Sequence, residues 1–484
     1  MLCEEREVGG MPHMSVNGIM IDCARVLERP AYYFRLLDFL ADWGMNTLVL
    51  HFTDDHGCAV ALPGFEELAM PHAFSADDLR RLVAYAATRG IEIIPELETF
   101  GHIRYLTALP RYRHLGLHCG LRQLTFNALN PLNAESAALM DQLLGAVAQL
   151  FPSPHLHLGC DEVNLAGLDR GTGGLDEAAV WSSYVNMMID LAHRHGKTPL
   201  IWADHLVKHA GIARQVSKDA VAVHWHYEAK AAAAPVLRLQ EAGYGRILLA
   251  PSLACYRHRF LPATGALANT RAMVRVAVAT GAAGVINTIW CPFRYFQGAM
   301  WYGIAFSGAL VAARGELDLA AFHVRFARQT LGLDLTPALA AFLNAYPRFG
   351  LDYAIVNKLY HNTFTMTLAE EQALHAVNDL GRTVLPATAG ITPTVNPEVW
   401  DDMRLAAQAS WLCSECWALN TATAPDRRRR AAFYRRRCEL RSGAAASWDR
   451  GRFPDDPQKT RPKFPEQAPE FALRILNHLR LSRR

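Results

Sequence analysis

Apolar residues in the first 300 positions gather into short dense runs. Between those runs they recur at every third or fourth position. The runs Val16–Asp22, Asn46–Phe52, Ile91–Leu97, Pro199–Trp202, Ala220–Trp225, Arg246–Ala250 and Gly284–Trp290 have the length and β-branched content of buried strands. The stretch from His155 into Asp161 and Glu162 reads as a further strand. It alternates, with Leu156, Leu158 and Cys160 on one face and His157, Gly159 and Asp161 on the other. The intervening patterns predict helices over Pro30–Trp43, Ala76–Thr88, Ala134–Leu150, Asp176–His195, Ala231–Ala242 and Thr270–Thr280. Their ends carry the expected signals: Pro30 in a first turn, Ser75 as a cap before Asp77 and Asp78, and Gly44, Gly90 and Gly196 as stops.

Eight strands alternating with helices predict an α/β fold, a (β/α)8 TIM barrel, followed by a helical C-terminal region. A doubly wound open sheet is the alternative, but no glycine-rich phosphate loop follows a strand. Gly171-Thr172-Gly173-Gly174 does not follow one and reads as a flexible loop. Past Trp301 the patterns are helical, over Gly303–Arg314, Leu319–Leu331, Leu368–Thr383, Pro397–Asn420, Asp426–Arg441 and Glu470–Leu481. The expected organisation is an N-terminal extension over 1–13, a barrel over 14–310, and a helical region over 311–484. In that last region residues 449–469, rich in proline and charge, form an extended or mobile segment.

Composition sharpens this only in places. The chain of 484 residues is 51% hydrophobic and 20% charged, enough for a large core. Residues 426–484 hold 17 Lys and Arg against 7 Asp and Glu, a local +10 that leaves −7 on the rest. Seven of the arginines, Arg427–Arg430 and Arg435–Arg437, share one predicted helix. A solvated face or a bridge to an acidic neighbour, and so a homo-oligomer, is preferred there to nucleic-acid binding, because no aromatic-interleaved groove accompanies the charge. The ten cysteines are irregularly spaced and several sit in apolar strands, as small buried hydrophobes do. Cys413 and Cys416 have metal or redox spacing, but no second pair completes a zinc site. There is no signal-peptide pattern and no membrane-length apolar run, so a soluble cytoplasmic protein without membrane contact is the expectation.

In a barrel of this kind the chemistry lies at the C-terminal ends of the strands. Those ends carry Asp22 with Arg25, Asp54 with Asp55, Glu98 with His102, Asp161 with Glu162, Trp202 with Asp204, Trp225 with Tyr227, Ser252, and Trp290. Tryptophan faces stack on sugar C–H faces while carboxylates and arginine bind hydroxyls, so the set suits carbohydrate. The tandem acids Asp161-Glu162 could be no more than a helix's first turn. As a site, one ionised carboxylate would raise the pKa of its neighbour and keep a general acid protonated.

Three motifs give this set a family. His157-Leu158-Gly159-Cys160-Asp161-Glu162 resembles the His-x-Gly-(Gly/Ala)-Asp-Glu of glycoside hydrolase family 20, the β-N-acetylhexosaminidases, and most closely their hexosaminidase D-like branch. Met45-Asn46 through Phe52–Gly57 resembles the family's second-strand motif, and Pro95–His102 its Pro-Glu-x-(Asp/Glu)-x-x-Gly-His. The resemblance covers roughly residues 14–310.

It implies exo-acting hydrolysis of terminal β-linked GlcNAc or GalNAc, with retention, in which the sugar's own acetamido carbonyl attacks and an oxazolinium forms. Glu162 would be the acid and base, and Asp161 would hold the acetamido N–H and the developing charge. Glu98, His102 and Asp55 would support the pair, and Gly159 would leave room beside the sugar. His157, Asp22, Trp202, Asp204, Trp225, Tyr227 and Trp290 complete the expected pocket. The expected partner is a carbohydrate ending in N-acetylhexosamine, with no cofactor and no metal.

Three positions depart from the family. Asn17-Gly18 stands for its Arg-Gly, Trp290-Cys291-Pro292 stands for its Trp-x-Glu, and no tyrosine follows the seventh strand. Tyr227 or Tyr256 is expected to take the tyrosine's role. Two other readings stay open. One is a glycan-binding barrel that has lost turnover. The other is a metal-dependent amidohydrolase-like barrel using His51, His102, His157 and His224.

Overall fold

The computed structural model describes residues 14–117, 128–163, 176–255, 259–424, 426–453 and 479–481. The predicted extension over 1–13, the Gly171–Gly174 loop, Tyr256 and most of the proline-rich tail lie outside them. Contacts divide the described residues into two compact units. One runs up to Pro251 and includes Arg271–Thr288; the other holds Ser252–Thr270 and everything from Ile289 on.

The first unit is a closed parallel barrel. Its strands are β1 (Val16–Asp22), β2 (Thr47–His51), β3 (Glu92–Glu96), β4 (His155–His157), β5 (Thr198–Trp202), β6 (Val221–Trp225), β7 (Ile247–Ala250) and β8 (Gly284–Ile289). They are hydrogen-bonded in chain order and β8 returns to β1. Backbone bonds from Ser15 and Val16 to the Ala283 carbonyl, at 2.8 and 3.2 Å, stitch that seam. Both faces of the strands are covered, so they are buried almost throughout rather than alternating. The predicted helix ends hold. Pro30 opens Pro30–Asp42, and Ser75 forms a reciprocal cap with Asp78 at the start of Ala76–Thr88.

Register sets up the chemistry. Asp22 lies beside His51, His51 beside Glu96, and Glu96 beside His157, so four strands present one continuous row of polar side chains. A row like this inside a barrel is costly unless its members satisfy one another.

Several elements differ from the sequence reading. Strand β4 stops at His157, well short of Asp161. After β2 the chain makes a small separate sheet from Thr53–Asp54, Gly57–Val60 and Ala69–Phe74, too short and interrupted to show as a hydrophobic period. Residues 289–310, assigned to the barrel by sequence, belong with the second unit.

That second unit is helical, with Trp301–Ala312, Leu319–Leu331, Leu368–Thr383 and Pro397–Thr421 close to their predicted bounds. Pro337–Ala345 and Tyr353–Tyr360 were hidden by their shortness, and Arg427–Gly451 runs ten residues past its predicted end. The described end of the last predicted helix, Leu479–Leu481, is not helical. Cys413 and Cys416 are buried in the Pro397–Thr421 helix, as packing residues are. Arg429 of the basic helix pairs with buried Glu415 at 3.1 Å, and Arg436 lies 4.3 Å above the Trp411 ring. Among the described residues no helix is long and apolar enough to cross a membrane.

Candidate active site

The Asp161-Glu162 pair does not ride on a strand. Gly159, Cys160 and Glu162 all take positive φ, at 67°, 75° and 50°, so the chain leaves β4 through a tight left-handed turn. The alternation read from the sequence therefore ends before the acids. Positive φ at Cys160 and Glu162 is strain that the surroundings must hold in place. Cys160 is fully buried and its thiol meets the Thr99 hydroxyl at 3.4 Å. Thr99 in turn donates to the Leu158 carbonyl at 2.8 Å.

Two glycines set the fit. A β-carbon on Gly159 would fall onto the Glu98 carboxyl, and one on Gly101 would come within 2.5 Å of the Asp161 carbonyl oxygen. Gly159 thus makes room for a protein carboxyl, not, as expected, for the sugar.

The two acids end in opposite surroundings. Asp161 is buried, and desolvation raises its carboxyl to about 7 against the pull of His102, with Asp204 and Glu162 adding to the rise. The Glu162 side chain is 58% exposed and its carboxylate stands 3.6 Å from His102 Nε2. That contact, ahead of the weaker pulls of Lys208 and Arg25, keeps Glu162 below its ordinary value. This reverses the expectation from sequence: it is Asp161 that is raised, chiefly by burial, while a histidine lowers Glu162. His102 itself faces Asp55 at 3.4 Å and Asp54 at 3.6 Å through Nδ1. Burial works against its charge, but Asp55 and Glu162 hold it well above the usual histidine range.

Beneath the pair lies the row set by register. Buried Glu96 accepts the Trp202 indole N–H at 2.7 Å and lies 2.9 Å from His51 Nδ1 and 3.5 Å from His157 Nδ1. Burial opposes its charge, yet the charge and hydrogen bond of His51, with the Trp202 indole, keep it low. His157 is pushed down to about 4 by burial, and as a neutral ring it accepts the Gly159 N–H at 3.1 Å. Glu98, buried beside Asp161, is held well above the carboxylate range by desolvation and by that neighbour. Arg25 ties Asp22 and Asp54 together at 2.7 Å each, and the Arg104 backbone N–H fixes Asp55 at 3.2 Å.

The remaining candidates separate. Asp204 opens the short helix after β5, and its carboxylate accepts from Lys208 at 3.2 Å and from the Glu162 N–H at 3.4 Å. Trp202 is 1% exposed and serves Glu96, so it supports the site from beneath rather than offering a face. Trp225 and Tyr227 are half-buried and stack at 5.1 Å, with Lys208 6.0 Å from the Trp225 ring. Trp290 belongs to the second unit, its backbone N–H bonded to the Ala254 carbonyl at 2.9 Å. Asn17 sits at the start of β1, bonded to Gly44 and Asn46 where the chain turns into β2. That is the opposite end of the strand from Asp22. Sequence reasoning passed over Glu96 and listed His51 only as a metal ligand; their signal was alternation against His157 in the register of neighbouring strands.

Among the described residues, two groups have cation-ligating donors within 4.8 Å of one another: His51 with Glu96 and Glu98, and Asp54 with Asp55 and His102. In both, histidines already face carboxylates, and Arg25 is paired with Asp54.

Comparison with known proteins agrees with this geometry. A model of the catalytic domain of glycosyl hydrolase family 20 matches residues 15–263. A β-hexosaminidase of Vibrio furnissii is 31% identical over an alignment of 179 positions that covers 31% of this chain and 29% of that protein. The β subunit of Felis catus β-hexosaminidase is 26% identical over 254 residues, covering 48% of each chain. The chain thus spans half or less of the length of these relatives. Among solved structures, a β-N-acetylhexosaminidase superposes with a TM-score of 0.53 at 20% identity, over 67% of this chain and 79% of that one. A Vibrio harveyi exo-β-N-acetylglucosaminidase, in complex with N-acetylglucosamine, gives 0.51 at 23%, over 64% and 56%. At such identities the superpositions show a common fold.

Proposed function

The chain belongs to glycosyl hydrolase family 20, and from that membership we propose that it is an exo-acting β-N-acetylhexosaminidase working by substrate assistance. The observation that carries this reading is the placement of Asp161 and Glu162 on one tight turn, with His102 against Glu162. Two acids side by side do not face each other across a sugar, as an ordinary retaining pair does at about 5–5.5 Å. The nucleophile must then come from elsewhere, and a 2-acetamido carbonyl supplies it.

In the free site His102 and Glu162 share one proton, held mainly by the histidine. A bound sugar would cover the exposed Glu162 and penalise the charged pair. The neutral pair, with the proton on Glu162, then becomes favoured. Glu162 gives that proton to the leaving oxygen as the acetamido oxygen attacks C1. It then takes a proton from the water that opens the oxazolinium. Asp161 takes part in its carboxylate form, accepts the acetamido N–H and steadies the positive intermediate. Trp225 and Tyr227 offer an apolar face for the sugar. We further propose a terminal GlcNAc or GalNAc as substrate and the cytoplasm as location.

Turnover of a chromogenic N-acetylhexosaminide, set beside the matching glycoside with a free 2-hydroxyl, tests this. The acetamido substrate should be hydrolysed and the hydroxyl one scarcely touched, and a thiazoline analogue of the oxazoline should inhibit far better than N-acetylhexosamine. Efficient hydrolysis of the 2-hydroxyl glycoside with no thiazoline effect would sink substrate assistance. No turnover of either would leave a glycan-binding barrel.

A further inference from the structure

The helix Arg427–Gly451 is packed on one side. Phe433, Leu440, Ala444, Ser447 and Trp448 lie together there and are buried. At 3.6 residues per turn, Arg427, Arg428, Tyr434, Arg435, Cys438 and Arg441 fall on the other side, and all six are exposed. The four arginines extend along about 21 Å of helix, at 1.5 Å per residue. Among the described residues their side chains make no ion pair and no hydrogen bond. Exposed Glu439, four residues past Arg435, does not pair with it either.

This placement works against the helix itself. Its first turn holds arginines and no acid, at the end where the helix dipole favours negative charge. Arg437 and Arg441 are four residues apart, a spacing at which like charges repel. Glu415 compensates Arg429 and the Trp411 ring covers Arg436, but no described residue does as much for the exposed row. A local conflict with no gain inside the chain points to a surface kept for something outside it.

That partner is acidic and presents a surface rather than a groove. With one side packed, the helix cannot enter a nucleic-acid groove, and Tyr434, 39% exposed, is the one ring on the open face. The chain carries suitable charge itself, because the residues outside 426–484 sum to −7. On the barrel's helices Glu177–Arg194 and Ala234–Glu241, the exposed acids Glu177, Asp190 and Glu241 have no ion pair among the described residues.

We propose that the arginine face of Arg427–Gly451 docks on the acidic barrel surface of a second copy of this chain. The face cannot pair with itself, since like charges would meet across a two-fold axis. The contact is therefore head to tail, the basic helix of one copy on the barrel of the next, and it builds a ring or a filament.

Sedimentation velocity on the full chain, over a range of protein concentrations, tests this. The parent should associate in about 50 mM sodium chloride and dissociate by about 500 mM. Glutamine at Arg427, Arg428 and Arg435 together should weaken association at least about tenfold, and glutamate at the same three positions should leave a monomer. The glutamine variant should melt as the parent does in 500 mM salt, where both are monomers, which separates lost docking from lost folding. Mixed with the parent at low salt, the glutamate variant should still bind, because its own acidic surface is intact. A parent that stays monomeric at low salt overturns the proposal, whether or not it retards DNA. So does an oligomer indifferent to salt or to these arginines, or a glutamate variant that ignores the parent. Hydrolytic activity does not enter the readout, so this outcome is independent of the reading above.

Discussion

The Glu98 carboxyl occupies the space that a side chain on Gly159 would need. Glycine at 159 is required twice, by that contact and by its φ of 67°. Gly159→Ala should therefore cost at least about 2 kcal/mol of stability, more than either effect alone. Chemical denaturation measures it, and a loss below half that value would mean Glu98 can move aside freely.

Glu162→Gln keeps the shape of the side chain and removes its proton. Turnover should fall by about 10²–10⁴-fold on substrates with poor leaving groups and far less on activated aryl glycosides. His102→Asn should weaken the same step and shift its pH profile, because it removes the group that stores the proton. Equal impairment of Glu162→Gln on good and poor leaving groups would show that another residue is the acid.

Asp161 makes stability depend on pH in a definite direction. Its folded carboxyl titrates at about 7 against 3.8 for the ordinary group, so between those values the unfolded chain releases a proton that the folded chain keeps. Stability from this group is thus lost as pH rises through that window and is flat on either side. Asp161→Asn should be more stable than the parent at pH 8, by a few kcal/mol, and nearly equal to it at pH 4. It should also be almost inactive. Melts across pH decide the matter, and a difference that does not change with pH would mean Asp161 is not the titrating group.

The basic helix divides into working and idle arginines. Arg427, Arg428 and Arg435 are exposed, whereas Arg429 helps to neutralise buried Glu415 and Arg437 caps the Leu479 carbonyl at 2.9 Å. Glutamine at the three exposed positions should leave the unfolding free energy within about half a kcal/mol of the parent. Arg429→Gln should cost roughly 1–2 kcal/mol, softened by Arg382, which also meets Glu415 at 2.6 Å. Equal losses from both sets would remove this distinction.

The barrel was readable because parallel strands covered on both faces are dense apolar runs, and Val16–Asp22 and Thr198–Trp202 stand out as such. The acids were readable as a motif, but their conformation was not. A strand pattern extrapolated through Gly159 and Cys160 hides the left-handed turn, because positive φ leaves no period in the sequence. Nor could the sequence divide the charge between Asp161 and Glu162. That depends on His102, which reaches Glu162 from the end of another strand. The role of Trp202 was misjudged for a related reason: strand ends collect tryptophans both as faces for sugars and as donors to buried carboxylates. Only the register that brings Glu96 under the Trp202 indole tells the two apart.

One consequence of the barrel's asymmetry concerns inheritance. Arg25, Asp54, Glu96, Glu98, His102, Asp161, Glu162 and Asp204 all come from β1 to β5 and the segments that follow them. On the proposed mechanism, the groups that move or hold protons therefore lie in one uninterrupted block of chain, ending by Lys208. A recombination event downstream of Lys208 would transmit that block whole while exchanging the aromatic pair Trp225 and Tyr227 and everything after it. If Glu162 is the acid proposed above, a chimaera joined at that point should keep its leaving-group behaviour while its choice of glycan changes.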